Sequence, residues 1–98
     1  MTISLIQAVS QVREIVKAFG RANGDAYDII EAETIDTGTG WVFFYNSVDF
    51  IQTQNPLSAL AGNGPIYIDK SGCVQQLSSA IPWQEALGRV LSEDGLAP

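Results

Sequence analysis

The sequence predicts a small α+β protein: a four-stranded antiparallel sheet with the N- and C-terminal helices packed on one face. Three observations support this class. Apolar residues recur at helical spacing near both ends of the 98-residue chain. Between the ends lie segments rich in β-branched and aromatic residues, and turns that contain glycine separate these segments. The expected order is α-β-β-(short α)-β-β-α within one domain, residues 1–98.

The first helix is predicted to begin after Ser4, whose side chain can form a capping box with Gln7. Gly20 and Gly24 are suited to ending it. Its apolar positions form one stripe, which comprises Leu5, Val9, Val12, Ile15, Val16 and Phe19. This pattern indicates a helix with one face on the core.

Residues 27–36 and 41–45 are predicted to be the strands of a hairpin, with Asp36 opposite Trp41 across a tight turn. Alternation then assigns one face to Ile30, Ala32, Thr34, Trp41, Phe43 and Tyr45, and the other to Ile29, Glu31, Glu33, Ile35, Val42 and Phe44. Burying unpaired carboxylates is costly. The face that carries Glu31 and Glu33 is therefore expected to stay open.

A short helix is expected after Asn55, a capping residue followed by proline, and Gly62 is expected to end it. Its inward-packing residues are predicted to be Leu57, Leu60 and Ala61. Residues 66–69 and 73–77 are predicted as the third and fourth strands, joined by a loop in which Gly72 adopts a positive φ. The last helix is expected to begin at Pro82 and end at Gly95. Its predicted core residues are Trp83, Leu87, Val90 and Leu91.

The excess of acidic over basic residues limits the classes of molecule that the protein is expected to bind. Eleven acidic residues against five basic ones give a formal net charge of −6. Nucleic acid and anionic membranes are therefore not expected as partners, whereas a basic protein surface is complementary. The N-terminal segment lacks the basic region and unbroken apolar run of a signal peptide, and no stretch approaches the ~20 apolar residues of a membrane span. The expected location is the cytoplasm.

Catalytic groups are scarce, so we do not expect an enzyme. The chain has no histidine, and Cys73 is its single cysteine. This excludes Ser-His and Cys-His pairs and a structural zinc site, and no metal or cofactor is predicted. No glycine motif resembles a phosphate-binding loop. Cys73 is expected to be a small apolar residue within a strand. An enzyme or small-ligand protein would need a deep pocket with converging carboxylates.

Five acidic residues crowd the segment 25–36, which contains no basic residue: Asp25, Asp28, Glu31, Glu33 and Asp36. Two interpretations remain open. The charges either keep an exposed strand from unwanted pairing or form a docking surface for a cationic partner. Phe44, predicted beside these acids, either contacts a partner or packs under a loop.

A resemblance to a known family narrows the function. Residues 40–50, GWVFFYNSVDF, and residues 59–72, ALAGNGPIYIDKSG, resemble motifs of the immunity protein 35 family, the YrhB-type domain. The matching positions are Gly40, Trp41, Phe43, Ala61, Gly62, Asn63, Pro65, Asp69, Lys70 and Gly72. The resemblance extends from about Tyr27 to Val90. Most of these residues suit core and turn roles, so the match describes the scaffold more than the contact surface.

This resemblance implies a bacterial immunity protein that binds a cognate toxin and blocks its active site or substrate groove. The predicted partner-binding residues are Asp28, Glu31, Glu33, Asp36, Phe44 and Asp49. The alternative is a general housekeeping or chaperone-like binding protein without a dedicated toxin. A homodimer through the open sheet face or an edge strand is also left open.

Overall fold

The computed structural model describes residues 2–92. The helices are α1 (Leu5–Ala22), α2 (Val48–Thr53) and α3 (Trp83–Leu91). The strands are β1 (Tyr27–Ile29), β2 (Ile35–Asp36), β3 (Gly40–Phe43), β4 (Tyr45–Ser47), β5 (Ile66–Asp69) and β6 (Val74–Gln76). Two 3₁₀ turns, Glu31–Glu33 and Pro56–Ser58, lie before β2 and after α2.

The strands form two antiparallel sheets. The larger sheet has the order β2-β3-β5-β6, and the smaller one pairs β1 with β4. Helices combined with antiparallel sheets confirm the predicted α+β class. The described part of the chain has six strands rather than four, because each predicted strand of the first hairpin is divided into two shorter ones.

Helix α1 begins as the sequence predicts. The Ser4 hydroxyl accepts a hydrogen bond from the Gln7 backbone N–H at 3.2 Å, and the Ser4 N–H donates to Gln7 Oε1 at 2.8 Å. These two reciprocal bonds satisfy the backbone N–H groups of Ser4 and Gln7, which have no backbone partner within the first turn of the helix. Along the helix, Ala8, Val12 and Val16 are completely buried. The spacing of three apolar residues on one face thus anchors α1 to the core.

The β2–β3 hairpin has the predicted register. Asp36 lies opposite Trp41, and Ile35 lies opposite Val42. The carboxylate of Asp36 accepts a hydrogen bond from the Gly38 N–H at 2.8 Å. Gly38 has φ +86°, a conformation that costs glycine little. Local turn chemistry therefore sets this register.

Beyond this hairpin the predicted pairing is wrong. Ile29, and not Ala32, lies opposite Tyr45. The 3₁₀ turn Glu31–Glu33 removes three residues from the strand, and a shift by an odd number exchanges the two faces. Ile29 therefore joins the core that contains Tyr45, and the two glutamates leave the sheet altogether.

Two separate cores hold the fold together. The α1 core consists of Ala8, Val12, Val16, Ile29, Trp41, Phe43, Tyr45, Ile66 and Ile68. The α3 core consists of Val42, Tyr67, Leu77, Ala86, Leu87 and Val90. Alternate residues of β3 and β5 enter the two cores, and alternate residues of a strand point to opposite faces. The larger sheet is thus covered on both faces.

The prediction that both long helices share one face is therefore wrong. It assumed that Glu31 and Glu33 lie in the sheet and keep the face of Val42 open. Because both glutamates lie in the 3₁₀ turn, no carboxylate from this segment opposes the packing of α3. Trp83 and Leu91 pack against the α3 core, and Leu87 and Val90 belong to it, as predicted.

The β5–β6 turn is organised by Asp69. Its Oδ1 atom accepts hydrogen bonds from Ser71 N at 2.8 Å, Ser71 Oγ at 2.6 Å and Cys73 N at 3.0 Å. Burial favours the neutral acid, but these hydrogen bonds prevail and hold the pKa of Asp69 below its ordinary value. Gly72 has the predicted positive φ, +93°. Cys73, expected in a buried strand position, is instead exposed and precedes β6.

The connection between β4 and β5 differs from the prediction. Helix α2 was not predicted, and it begins after Ser47, whose hydroxyl accepts a hydrogen bond from Phe50 N at 3.0 Å. Asn55 caps the following turn as expected. Of the three residues predicted to pack inward, Leu60 packs against the α1 core, whereas Leu57 is 94% exposed and Ala61 is exposed as well.

Helix α3 has Pro82 at its N-cap, so it begins where the sequence predicts. Its predicted end at Gly95 lies outside the described residues. Across residues 2–92, no helix has both the length and the hydrophobicity needed to span a bilayer.

Candidate functional site

Four of the five acidic residues of the segment 25–36, called the acidic segment below, lie in three short elements, and Asp25 lies in the bend between α1 and β1. Asp28 lies in β1, Glu31 and Glu33 in the 3₁₀ turn, and Asp36 in β2. Glu31, Glu33 and Asp36 are exposed, and Asp28 is half-buried. The break in the strand therefore displays the glutamates on the surface, where carboxylates keep most of their hydration.

Arg13 of α1 binds two members of the acidic segment. Its Nε atom lies 3.0 Å from Asp28 Oδ1, and its Nη2 atom lies 3.1 Å from Glu31 Oε2. The hydrogen bond to Asp28 is the main reason that the pKa of Arg13 is raised above its ordinary value, although burial acts in the opposite direction. The 3₁₀ turn is thereby tied to the helix.

Helix α1 supplies further positive charge beside the acidic segment. Three of the five basic residues, Arg13, Lys17 and Arg21, follow one another at four-residue spacing on this helix. Lys17 and Arg21 contribute to a groove of about 240 Å³, whose other lining residues are Asp25, Ala26, Tyr27, Asp28 and Val48. This end of the acidic segment therefore carries charges of both signs and not an unbroken negative patch.

The remaining predicted acids lie farther along the surface. Glu33 makes no ion pair with any residue from 2 to 92. Asp36 is exposed at the end of β2. Asp49, in the first turn of α2, accepts a hydrogen bond from the Ser58 hydroxyl. Because Asn46 of β4 pairs with Asp28 of β1, α2 begins close to the acidic segment.

Phe44 does not lie on an open sheet face. Its side chain is half-buried and packs against the α3 core. Its backbone carbonyl accepts a hydrogen bond from Ile30 N at 2.8 Å, so only its backbone is held close to the 3₁₀ turn. The structure therefore brings Asp28 and Glu31 together through Arg13 but does not place the Phe44 ring on an uncovered sheet beside them. A partner contact by Phe44 stays a prediction.

A second surface feature, called the aromatic cleft below, opens where the end of α1 meets the loop before β5. Its volume is about 330 Å³. The lining residues that the described part of the chain contributes are all uncharged: Phe19, Ala22, Asn23, Tyr27, Tyr45, Leu60, Ala61, Gly62, Asn63 and Gln76. Five elements or loops contribute to it, so it forms only when the chain is folded.

Tyr45 forms the floor of the aromatic cleft and is only 6% exposed. Its ring centroid lies 6.1 Å from that of Phe19 and 6.3 Å from that of Tyr27, both in tilted arrangements. The Tyr45 hydroxyl accepts a hydrogen bond from Gln76 Nε2 at 2.9 Å. Burial is the main reason that the pKa of Tyr45 is raised above 10.0, and the bond from Gln76 acts against this rise.

The amide side chains of the cleft are fixed by their nitrogen atoms. Asn63 Nδ2 donates to the backbone carbonyl of Tyr45 at 2.8 Å. Gln76 Nε2 also donates to the carbonyl of Gly64 at 3.1 Å. Both amide oxygens are acceptors for which residues 2–92 provide no donor. The lining of the cleft therefore includes aromatic rings and two amide side chains whose oxygens accept no hydrogen bond from residues 2–92.

Sequence reasoning missed both Arg13 and the aromatic cleft. The four-residue spacing of Arg13, Lys17 and Arg21 was a usable signal, because such spacing aligns charges along one side of a helix. The cleft had no comparable signal, since Tyr27, Tyr45 and Gln76 come together only through strand pairing and loop packing.

The described side chains do not converge as metal ligands. Within residues 2–92, no three His, Cys, Asp or Glu side chains lie close enough together to hold a metal ion. The arrangement is suited to molecular recognition, with ordered carboxylates on one surface and an uncharged cleft on another.

Comparison with known proteins identifies the family. The model of the family described as immunity protein 35 matches residues 7–88. The Escherichia coli (strain K12) protein named "Uncharacterized protein YrhB" is 41% identical over 49 residues, which are 49% of this chain and 52% of that protein. The match thus spans about half the length of this curated relative. No solved structure matches the chain. Because the family model covers most of the sequence, the chain belongs to the immunity protein 35 family.

Proposed function

We propose that this protein is a cytoplasmic immunity protein that binds one cognate bacterial toxin and neutralises it. The observation that carries this proposal is the family match over residues 7–88. The proposed mechanism is stoichiometric: the bound protein covers the active site or substrate groove of the toxin. It acts by occupying space and requires no chemical step of its own.

The charge distribution supports a basic partner. The formal net charge is −6, and Glu33 and Asp36 are exposed within the acidic segment. Long-range attraction of this kind raises the association rate and orients the two proteins before they touch. We assign the partner surface to Asp28, Glu31, Glu33, Asp36, Phe44 and Asp49.

Arg13 supports this assignment by ordering two of the acids before binding. The ion pairs at 3.0 and 3.1 Å restrict the side chains of Asp28 and Glu31. A surface that is already ordered loses less conformational entropy when a partner binds. Within the proposed surface, Arg13 therefore positions carboxylates and Glu33 supplies uncompensated charge.

The test is co-expression with the polypeptide encoded by the adjacent open reading frame. We expect that polypeptide alone to stop growth, and co-expression of this protein to restore growth and to give a co-purifying complex of defined stoichiometry. Absence of both rescue and complex formation would refute the proposal. Equal binding to several unfolded proteins would instead support a chaperone-like protein.

Charge reversal tests the assigned surface separately. The double variant Glu31→Lys/Glu33→Lys is expected to weaken the complex, because it replaces attraction with repulsion toward a basic partner. Glu85→Lys is the matched control, since Glu85 is an exposed glutamate of α3 that lies outside the acidic segment. If both variants bind as tightly as the original protein, this surface is not the interface.

A further inference from the structure

We infer that the aromatic cleft receives an uncharged aromatic side chain, a tyrosine or tryptophan, presented by the partner protein. This inference rests on the proposed function, because it names the anchor by which the same partner is held. The cleft is thus a specificity site distinct from the acidic segment.

The size of the cleft suits one large side chain. Its volume of about 330 Å³ lies at the small end of the roughly 300–1,000 Å³ typical of ligand pockets. The half-buried rings of Phe19 and Tyr27 line the cleft beside the buried ring of Tyr45, and another ring can pack against them in a tilted or offset manner. Aromatic side chains seated in such pockets commonly dominate the affinity of protein interfaces.

The charge of the lining decides between occupants. Although the acidic segment adjoins the cleft through β1, no charged side chain among residues 2–92 lines the cleft itself. A lysine or arginine entering it would lose water without gaining a carboxylate partner, which is unfavourable. A neutral ring loses only weakly bound water there, so its burial is favourable.

The free acceptors decide which neutral ring fits. The nitrogens of Asn63 and Gln76 donate within the fold, whereas no group of residues 2–92 donates to their side-chain oxygens. A tyrosine O–H or tryptophan N–H can donate to such an oxygen, whereas phenylalanine cannot. The two amides are also held in fixed orientations, so little ordering is needed when the donor arrives.

The experiment replaces small lining residues of the cleft with tryptophan, so that the new side chain occupies the cleft. Ala22 and Ala61 are exposed residues of its lining, and we would measure binding of Ala22→Trp and Ala61→Trp to the co-expressed toxin. We expect each to weaken the complex at least about 30-fold, the loss typical of a blocked anchor. Ala18→Trp, on an exposed position one turn earlier in α1 and outside the lining, is the control and should bind within about threefold of the original.

The outcomes separate this inference from the proposed function. If the original protein binds the toxin and both filled variants bind equally well, the inference is wrong and the proposed function stands. If the original protein binds no toxin, both are wrong. Thermal unfolding of each variant establishes that weaker binding reflects occupancy of the cleft and not loss of the fold.

A measurement on the unaltered protein tests the chemistry independently of folding of the variants. Adding N-acetyl-L-tyrosinamide or N-acetyl-L-tryptophanamide should shift the NMR signals of the Asn63 and Gln76 side-chain amides. N-acetyl-L-argininamide should leave them unchanged. Shifts produced by the arginine compound alone would overturn the inference, as would the absence of shifts together with full binding by the filled variants.

Discussion

The acidic segment and the aromatic cleft share α1 and β1, yet they offer opposite chemistry to a partner. In the acidic segment, Arg13 Nε lies 3.0 Å from Asp28 Oδ1, and Glu31 and Glu33 are exposed. In the aromatic cleft, the lining that residues 2–92 contribute is uncharged, and Tyr45 lies 6% exposed at the floor. Exposed charges mainly change the rate of association, whereas buried anchors mainly change the rate of dissociation. Two kinetic properties can therefore be altered separately.

The largest expected effect concerns the floor of the cleft. Tyr45→Ala should lower the free energy of unfolding by about 3–5 kcal/mol, the usual cost of removing a buried aromatic ring. Tyr45→Phe retains the ring and should cost only about 1 kcal/mol for the lost hydrogen bond. Urea denaturation measures both values. A cost below about 1.5 kcal/mol for Tyr45→Ala would mean that the cleft is not built into the core.

The next effect concerns binding kinetics. For the complex with the toxin, Glu33→Lys/Asp36→Lys should slow association about tenfold at low salt and leave dissociation nearly unchanged. The cleft variant Ala22→Trp should instead speed dissociation and leave the association rate nearly unchanged. Surface plasmon resonance at two salt concentrations distinguishes the two patterns, since screening removes only the electrostatic effect. If both variants change the same rate constant, the two surfaces do not have separate roles.

A smaller effect is expected at Arg13, whose side chain is 30% exposed. Arg13→Gln should reduce the free energy of unfolding by about 1 kcal/mol at low salt, and by less in 1 M NaCl, because partly exposed ion pairs are screened. A double-mutant cycle with Glu31→Gln should give a coupling energy of about 0.5 kcal/mol. A coupling energy of zero would show that Arg13 does not order the 3₁₀ turn.

The smallest effect concerns alkaline pH. The pKa of Tyr45 is raised above 10.0, chiefly because burial disfavours the phenolate. The unfolded chain therefore loses this proton first as the pH rises. The stabilisation from the neutral phenol is complete below the unfolded pKa and is lost as the pH rises through the folded pKa. Tyr45→Phe should show a flatter decline of stability in this range, measured by denaturation at several pH values. An identical decline would contradict the assignment.

The sequence was most informative where structure depends on neighbouring residues. The capping box of Ser4 and Gln7, the Asp36–Trp41 register and the positive φ of Gly72 were all predicted and are all present. Each is determined within a few residues of chain. The same holds for the start of α3 at Pro82.

The sequence was least informative where one local change alters distant packing. The 3₁₀ turn Glu31–Glu33 has no clear sequence signature. It nevertheless shifts the register of β1 by three residues, so the side chains of β1 point to the faces opposite to those predicted. The predicted face of Ile29 and the predicted position of α3 were both wrong for this one reason. Trp41, Phe43 and Tyr45 share one face as predicted. The acids of the candidate site can be named from the sequence, and their role in binding stays a prediction. Arg13 and the aromatic cleft depend on tertiary contacts that no short pattern contains.

The covering of the larger sheet by a helix on each side has a consequence for the evolution of specificity. The interior residues are committed to two cores, while the recognition residues proposed above lie mostly at the margins, in turns and at helix ends. Substitutions at exposed positions usually change folding stability by less than about 0.5 kcal/mol. Descendants of such a scaffold can therefore change the surface that they present to a partner by altering peripheral side chains, while the buried framework is inherited intact.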